Sequence, residues 1–174
     1  MNKILIIIFL IGALSMMYIL GKLGEPLSKA TKGGIIKLEL AYSKTRVIKT
    51  IDAWSAASTA ENDNIAIAKK SIWLDFIFIF FYSGFLFLAS KAISRSFGGK
   101  FGRAGKWIAT AALLAGSMNV FENCGILISL SMKTSDVTAF ATAFCSSIKW
   151  ILVTLAVLYV LTGSVGLIRA KIVR

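Results

Sequence analysis

The sequence predicts an all-α integral membrane protein in which four transmembrane helices form a bundle. Hydrophobic residues make up 57% of the 174 positions and charged residues 16%, whereas soluble globular domains are about 45–50% apolar and about 25% charged. Four stretches are long and apolar enough to cross a bilayer as helices, and they are too long for barrel strands. We therefore expect a single membrane domain covering residues 1–174.

The four predicted spans are residues 4–20, 71–90, 107–131 and 138–162, each boundary being approximate. The first span begins like a secretory signal, but a signal's apolar region is only about 7–15 residues long and ends at a small-residue cleavage site. Here the apolar run continues to Leu20 and closes with Gly21 and Lys22. We predict that this segment is retained as an anchor.

The long connection between the first two spans is predicted to contain an amphipathic helix at about 35–57. Its apolar residues, which follow Gly33 and Gly34, recur at helical spacing; they are Ile36, Leu40, Val47, Ile51 and Trp54. This stripe could lie on the lipid interface or cover the bundle. Ser58 and Glu61 have capping-box spacing, so a new helix is predicted to start there and to continue through Trp73 into the second span.

The excess of positive charge indicates where the protein resides and what it contacts. Lys and Arg total 20 against 8 Asp and Glu, and the positive charge is spread over all the loops. This distribution favours contact with anionic lipids and gives no separate basic module for nucleic acid. Nine Lys and Arg flank one side of the spans and seven the other. That count favours both termini in the cytoplasm of a bacterial inner (plasma) membrane.

The missing residue types exclude several chemistries. There is no His, so His-ligated zinc, His-ligated haem and Ser-His-Asp or Cys-His catalysis are excluded. The glycines form no phosphate-binding pattern, and we predict neither a metal nor another cofactor. Cys124 and Cys145 are predicted to be small buried hydrophobic residues.

Three charged residues fall within the spans, namely Asp75, Glu122 and Lys149. Intramembrane ionisable groups are costly, so each is a candidate site residue. Tyr82 shares a helix face with Asp75, and other polar residues lie beside the remaining two; these are Asn119 and Asn123 in the third span and Ser146 in the fourth. We expect these faces to meet inside the bundle, in the bilayer half nearer the long connection.

Two interpretations of this cluster are open. In the structural one, Glu122 and Lys149 form a buried ion pair, and the neighbouring polar residues fix helix packing. In the functional one, Asp75, Tyr82, Glu122, Asn123 and Lys149 line a cavity that binds or transports a small polar or lipid-like ligand or protons. The chain could instead be a non-catalytic subunit of a membrane complex or a homo-oligomer. An intramembrane enzyme with acid and base carboxylates is disfavoured, since no activated nucleophile accompanies them.

The order of segments resembles that of tetraspan families such as the claudins and the vitamin K epoxide reductases. The shared layout is a short tail, one span, a connection of about fifty residues and three closely spaced spans. The chain has neither the Gly-Leu-Trp motif with paired Cys of the former nor the C-x-x-C of the latter. The resemblance therefore implies a topology and no function.

Overall fold

The computed structural model describes residues 3–172, with side chains described for residues 3–169. Within that range there are seven helices and no strand: α1 (Lys3–Leu23), α2 (Glu25–Ala30), α3 (Ile35–Glu39), α4 (Lys44–Ala56), α5 (Asn64–Ser96), α6 (Gly99–Leu130) and α7 (Asp136–Ile172). Helices α1, α5, α6 and α7 are long and apolar enough to cross a membrane. The prediction of an all-helical fold with four such helices is confirmed.

Helix α6 lies at the centre of the bundle, between α5 and α7, and α1 packs on α5. In the most apolar 18-residue segment of each helix, 44% of the segment is buried inside the protein for α6 but only 11% for α1. Phe81 of α5 lies against Gly12 of α1, and Phe9 of α1 lies against Gly84 of α5, where a Cβ atom would collide with each ring. The remaining surface of α1 is apolar and exposed, which suits a lipid environment.

The connection between α1 and α5 folds onto one end of the bundle. Its buried apolar residues form one core cluster with α5, α6 and α7; the members include Leu27, Leu38, Val47, Ile51, Trp54, Ile72, Ile126 and Ala139. Trp54 is completely buried, and its indole nitrogen donates a hydrogen bond of 2.8 Å to Thr31 Oγ1. Short helices α2, α3 and α4 are thereby fixed against the helices that contain the candidate site.

The prediction of one amphipathic helix over 35–57 is wrong, because the chain breaks between α3 and α4. Ser43 caps α4 by accepting a hydrogen bond from the Arg46 amide at 3.4 Å. The Lys44 amide donates to Asp136 Oδ1 at 2.8 Å. These partners take up amides that an unbroken helix would pair internally. As a result Ile36 is exposed while Leu38 and Glu39 are buried.

The predicted helix start at Ser58 is also wrong, since α5 begins at Asn64. Asp63 Oδ1 accepts hydrogen bonds from the amides of Ile65 and Ala66 at 2.9 and 3.2 Å, so it satisfies two otherwise unpaired donors. Ser58 Oγ instead donates to the Trp54 carbonyl at 3.0 Å. The predicted continuation into the second span is confirmed, because α5 runs unbroken for 33 residues.

Candidate functional site

Lys149 of α7 is the centre of a buried cluster of charged side chains. Its Nζ lies 2.8 Å from both carboxylate oxygens of Glu122 on α6, although only Oε1 accepts an aligned hydrogen bond. The same Nζ lies 3.3 Å from Glu39 Oε2 on α3. Glu122 is completely buried, and Lys149 is 6% exposed. One ammonium group therefore serves two carboxylates that come from different helices.

Glu39 is held at this position by three side chains of α7. Its Oε2 accepts hydrogen bonds from Lys149 Nζ at 3.3 Å, from Trp150 Nε1 at 3.3 Å and from Ser146 Oγ at 3.4 Å. Lys149 Nζ also lies 4.9 Å from the centre of a Trp150 ring, a distance suited to a cation–π contact. Helix α7 thus binds α3 through an interlocked set of polar contacts.

The remaining predicted site residues lie at the interface between α5 and α6. Asn123 Nδ2 donates to Asp75 Oδ2 at 2.9 Å, and Asn119 Nδ2 donates to the Tyr82 hydroxyl at 3.4 Å. Of the described salt bridges, none includes Asp75. Asp75 is therefore a half-buried carboxylate whose described side-chain hydrogen bond comes from a neutral amide.

The pattern of α6 explains how these groups come together. Asn119, Glu122 and Asn123 are buried on one face, while Val120 and Phe121 on the other face are exposed. This division follows the helical period, so one turn of α6 contacts α5 and α7 at once.

Glycine also brings α6 and α7 close together near the cluster. Gly125 lies directly against the Thr142 side chain, and a Cβ atom at position 125 would collide with Thr142 Oγ1. The close approach occurs one helical turn from Glu122. It brings the backbones near enough for the Lys149 side chain to reach Glu122.

The structure brings the predicted residues together as two adjoining groups. Lys149, Glu122 and Ser146 form the first group, and the expected ion pair of Glu122 with Lys149 is present. Asp75 with Asn123 and Tyr82 with Asn119 form the second group. The two groups adjoin through Glu122 and Asn123, which are consecutive residues of α6.

Glu39, which is only 8% exposed, is not among the site residues predicted from the sequence. On a continuous helix over 35–57, Glu39 falls away from the apolar stripe and is expected to face water. The signal that could have found it is local, because Leu38, Leu40 and Ala41 surround it with apolar residues. The break after α3 turns it toward α7 instead.

Two buried oxygen atoms of the site have no aligned hydrogen-bond donor among the described residues. They are Asn119 Oδ1 and Glu122 Oε2, and both are acceptors. Glu122 Oε2 still lies 2.8 Å from the Lys149 ammonium group, so Asn119 Oδ1 is the one of the two without a nearby donor. A buried acceptor without a donor costs about 1–3 kcal/mol. The cluster can therefore gain free energy by taking up a group that donates, such as a proton on a carboxylate, an ammonium group or a hydroxyl.

Within residues 3–169, no three Asp, Glu, Cys or His side chains converge closely enough to hold a metal ion. Cys145 is half-buried and Cys124 is exposed, so the prediction that both are buried is wrong for Cys124, which lies on the outer face of α6. Two open surface depressions of about 290 and 310 Å³ lie away from the charged cluster.

The described residues thus form an all-helical bundle in which four helices, long and apolar enough to cross a membrane, surround a buried polar cluster. No protein-family model matches the chain, and neither a curated protein nor a solved structure matches it.

Proposed function

We propose that this protein binds a proton or a small cationic ligand at the cluster of Glu39, Glu122 and Lys149, and that Asp75 takes part. The observation that supports this function is the imbalance of the site. Lys149 Nζ is shared by the carboxylates of Glu39 and Glu122. The third carboxylate, Asp75, accepts a hydrogen bond from the neutral amide of Asn123, and the buried Asn119 Oδ1 has no donor among the described residues. The sequence predicts a small polar ligand. We propose, more specifically, a ligand that donates hydrogen bonds or carries positive charge.

The charge balance gives the physical reason. With all groups ionised, Glu39, Glu122 and Asp75 would exceed the single positive charge of Lys149 by two negative charges. Such an excess is costly in a membrane interior, where ionic groups are poorly solvated. Uptake of a proton or a cation reduces the excess, and its release restores the excess. A site of this kind can bind reversibly and can form one step of transport.

Glu39 offers a route to the cluster from the aqueous phase. It belongs to the connection rather than to the four long helices. The Tyr42 hydroxyl forms a hydrogen bond with Ser147 Oγ, so the segment after α3 is attached to α7 next to the cluster. We propose that protons or cations enter from the side of the connection, past Glu39.

The proposed orientation follows from the Lys and Arg count. The chain is proposed to cross a bacterial inner membrane four times, with both termini in the cytoplasm and the connection outside. Ligands would then reach Glu39 from the outer aqueous phase.

Infrared difference spectroscopy on the purified protein in liposomes tests proton binding directly. Changing the pH of the sample should produce a carboxyl protonation band that the Glu122→Gln variant lacks or shifts. The Glu61→Gln variant is the matched control, because Glu61 is exposed and lies outside the cluster. A wild-type spectrum whose carboxyl bands are all accounted for by exposed acids would contradict the proposal and would favour a purely structural ion pair.

A further inference from the structure

The end of the bundle opposite the connection is strongly basic. Helices α5 and α7 end there, and α6 begins there. Six exposed Lys and Arg side chains of these helices form what we call the basic end: Lys91, Arg95, Lys100, Arg103, Lys106 and Arg169. None of the six belongs to a salt bridge among the described residues. Their positive charge is therefore not neutralised by the described part of the chain.

The acidic residues of the protein are far from the basic end. Three long segments contain neither Asp nor Glu: residues 1–24, 76–121 and 137–174. On α5, Asp75 lies sixteen residues before Lys91, and on α6, Glu122 lies sixteen residues after Lys106. Each interval is about 24 Å of helix, whereas exposed charges are largely screened beyond about 8 Å at physiological ionic strength. The basic end therefore attracts negative charge from another molecule.

The first turns of α6, which contain three of these cations, are fixed between α5 and α7. Ser94 Oγ of α5 donates a hydrogen bond to the Gly102 carbonyl at 2.6 Å. The Tyr159 hydroxyl of α7 donates to the Phe101 carbonyl at 3.3 Å, and the two rings stack with 4.7 Å between their centres. A Cβ atom at Gly105 would collide with the Tyr159 hydroxyl. Because this backbone is already ordered, a ligand that binds here loses little free energy to ordering it.

Exposed apolar groups accompany the cations. Trp107 follows Lys106 and is 78% exposed, and Trp side chains are enriched at the level of lipid head groups. Lys91 Nζ lies 5.1 Å from the centre of the Phe87 ring, so this cation lies at the edge of the apolar surface of α5. A ligand that fits this end has negative charge next to apolar material. An anionic bilayer leaflet has both, whereas a soluble polyanion has no apolar layer.

We propose that the basic end binds the head groups of anionic phospholipids in the leaflet next to the chain termini, and that it concentrates these lipids around α5 and α6. The sequence predicts contact with anionic lipids at all the loops, and the structure favours this one end. Insertion of the four long helices in a bilayer is a condition for such binding, whereas the cluster around Lys149 is not.

Electron paramagnetic resonance of spin-labelled lipids tests the preference for negative charge. The purified protein is reconstituted in phosphatidylcholine liposomes, and its association with labelled phosphatidylglycerol is compared with that of labelled phosphatidylcholine. Phosphatidylglycerol should associate about fivefold more strongly, as expected for one cation near an anionic head group. The triple variant Lys91→Gln, Arg103→Gln, Lys106→Gln should reduce the preference to less than about twofold. A triple variant with the wild-type preference would overturn the proposal.

A matched triple variant in the connection shows whether the effect belongs to the basic end. Lys29→Gln, Lys37→Gln and Lys49→Gln remove the same charge at three exposed positions, and about half or more of the preference should remain. Equal losses in the two triple variants would mean general attraction by a basic protein and would contradict the assignment.

Flotation of the liposomes shows separately whether each protein is inserted. All three proteins should float with the lipid. A wild-type protein that did not float would refute membrane insertion and, with it, lipid binding at the basic end. A wild-type protein that floated without preferring phosphatidylglycerol would refute the lipid binding alone.

Ionic strength tests the electrostatic cause in the wild-type protein, without any variant. Raising the salt concentration from about 0.1 M to about 1 M shortens the screening distance from about 10 Å to about 3 Å. The preference for phosphatidylglycerol should then fall to less than about twofold. A preference that does not depend on salt would contradict binding by the exposed cations.

Polyglutamate distinguishes a lipid from a soluble acidic partner. It is equilibrated across the bilayer by freezing and thawing, so that it reaches both faces of the protein. It should leave the association of labelled phosphatidylglycerol unchanged at micromolar concentration, because it has no apolar part to contact Trp107. If it displaced most of the labelled lipid, the basic end would be a docking surface for an acidic protein segment, and the lipid occupant would be wrong.

Discussion

Glu39 and Lys149 are 110 positions apart in the chain, yet Glu39 Oε2 lies 3.3 Å from Lys149 Nζ. Both side chains are buried, and Lys149 also pairs with Glu122. The salt bridge therefore joins the connection to the interior of the bundle. Removal of one member of a buried ion pair leaves an unpaired charge in a poorly solvating environment.

The Lys149→Met variant should be strongly destabilised, because it leaves Glu39 and Glu122 without their shared cation. The expected loss is about 3–5 kcal/mol in the free energy of unfolding, as for other broken buried pairs. Reversible unfolding of the purified protein in mixed micelles measures it. Lys133→Met is the control, since Lys133 is exposed in the loop between α6 and α7.

A compensating variant checks that this loss comes from unpaired charge. Adding Glu39→Gln and Glu122→Gln to Lys149→Met removes the carboxylates that the first substitution leaves behind. The triple variant should recover more than half of the lost stability, since neutral replacement of a whole buried ion pair is often tolerated. A triple variant as unstable as the single one would refute this explanation.

The Glu39→Ala variant should loosen the connection while the four long helices remain intact. The substitution removes the acceptor for Ser146, Lys149 and Trp150. Hydrogen exchange measured by mass spectrometry should be faster over residues 35–43 and unchanged in the middle of α6. Asp52→Ala, at an exposed position of α4, should leave both regions unchanged. Unaltered exchange over residues 35–43 would show that Glu39 does not hold the segment.

The Asp75→Asn variant should separate the charge of Asp75 from its role in packing. An Asn side chain retains an oxygen that can accept the hydrogen bond from Asn123. The free energy of unfolding should therefore change by less than about 1 kcal/mol. The carboxyl protonation band in the infrared difference spectrum should lose amplitude. The comparison variant Asp75→Ala removes the acceptor and should be clearly less stable. An unchanged band in Asp75→Asn would exclude Asp75 from the proton-binding site.

The Gly125→Ala variant should disturb the contact between α6 and α7. The added methyl group would collide with Thr142 Oγ1, and overpacking of this kind costs about 1–3 kcal/mol. Gly21→Ala is a matched control, because nothing lies within 4 Å of a Cβ atom at that position. The double variant Gly125→Ala with Thr142→Ala should recover part of the stability. A Gly125→Ala protein as stable as wild type would mean that the close approach is not required.

The exposed pair of Lys22 and Glu25 should behave differently from the buried cluster. Lys22 Nζ donates to Glu25 Oε1 at 2.7 Å, and this hydrogen bond, together with the charge of Lys22, lowers the pKa of Glu25. The stabilisation is present above the usual Glu pKa and is lost as the pH falls through the lowered value. Both side chains are exposed, so solvent screens the pair. The melting temperature of Glu25→Gln should match wild type at neutral pH, and a clear drop would contradict this expectation.

The sequence by itself determined the features that depend on composition and helical period. Long apolar runs require helices in lipid because the backbone must satisfy its own hydrogen bonds. The period of 3.6 residues placed Asn119, Glu122 and Asn123 on one face of α6. Since isolated charges within spans need a partner, it also indicated the pairing of Glu122 with Lys149.

The tertiary structure alone decided how the connection folds and what it contributes to the site. The break between α3 and α4 uses Asp136 as a partner for the Lys44 amide, and α5 begins at Asp63 rather than at Ser58. The break depends on a contact between distant segments. The start of α5 depends on which of two nearby residues, Ser58 or Asp63, caps the helix. Glu39 likewise belongs to the site because of contacts between distant segments. Its burial is set by the three α7 side chains that bind it, and local periodicity contains no information about them.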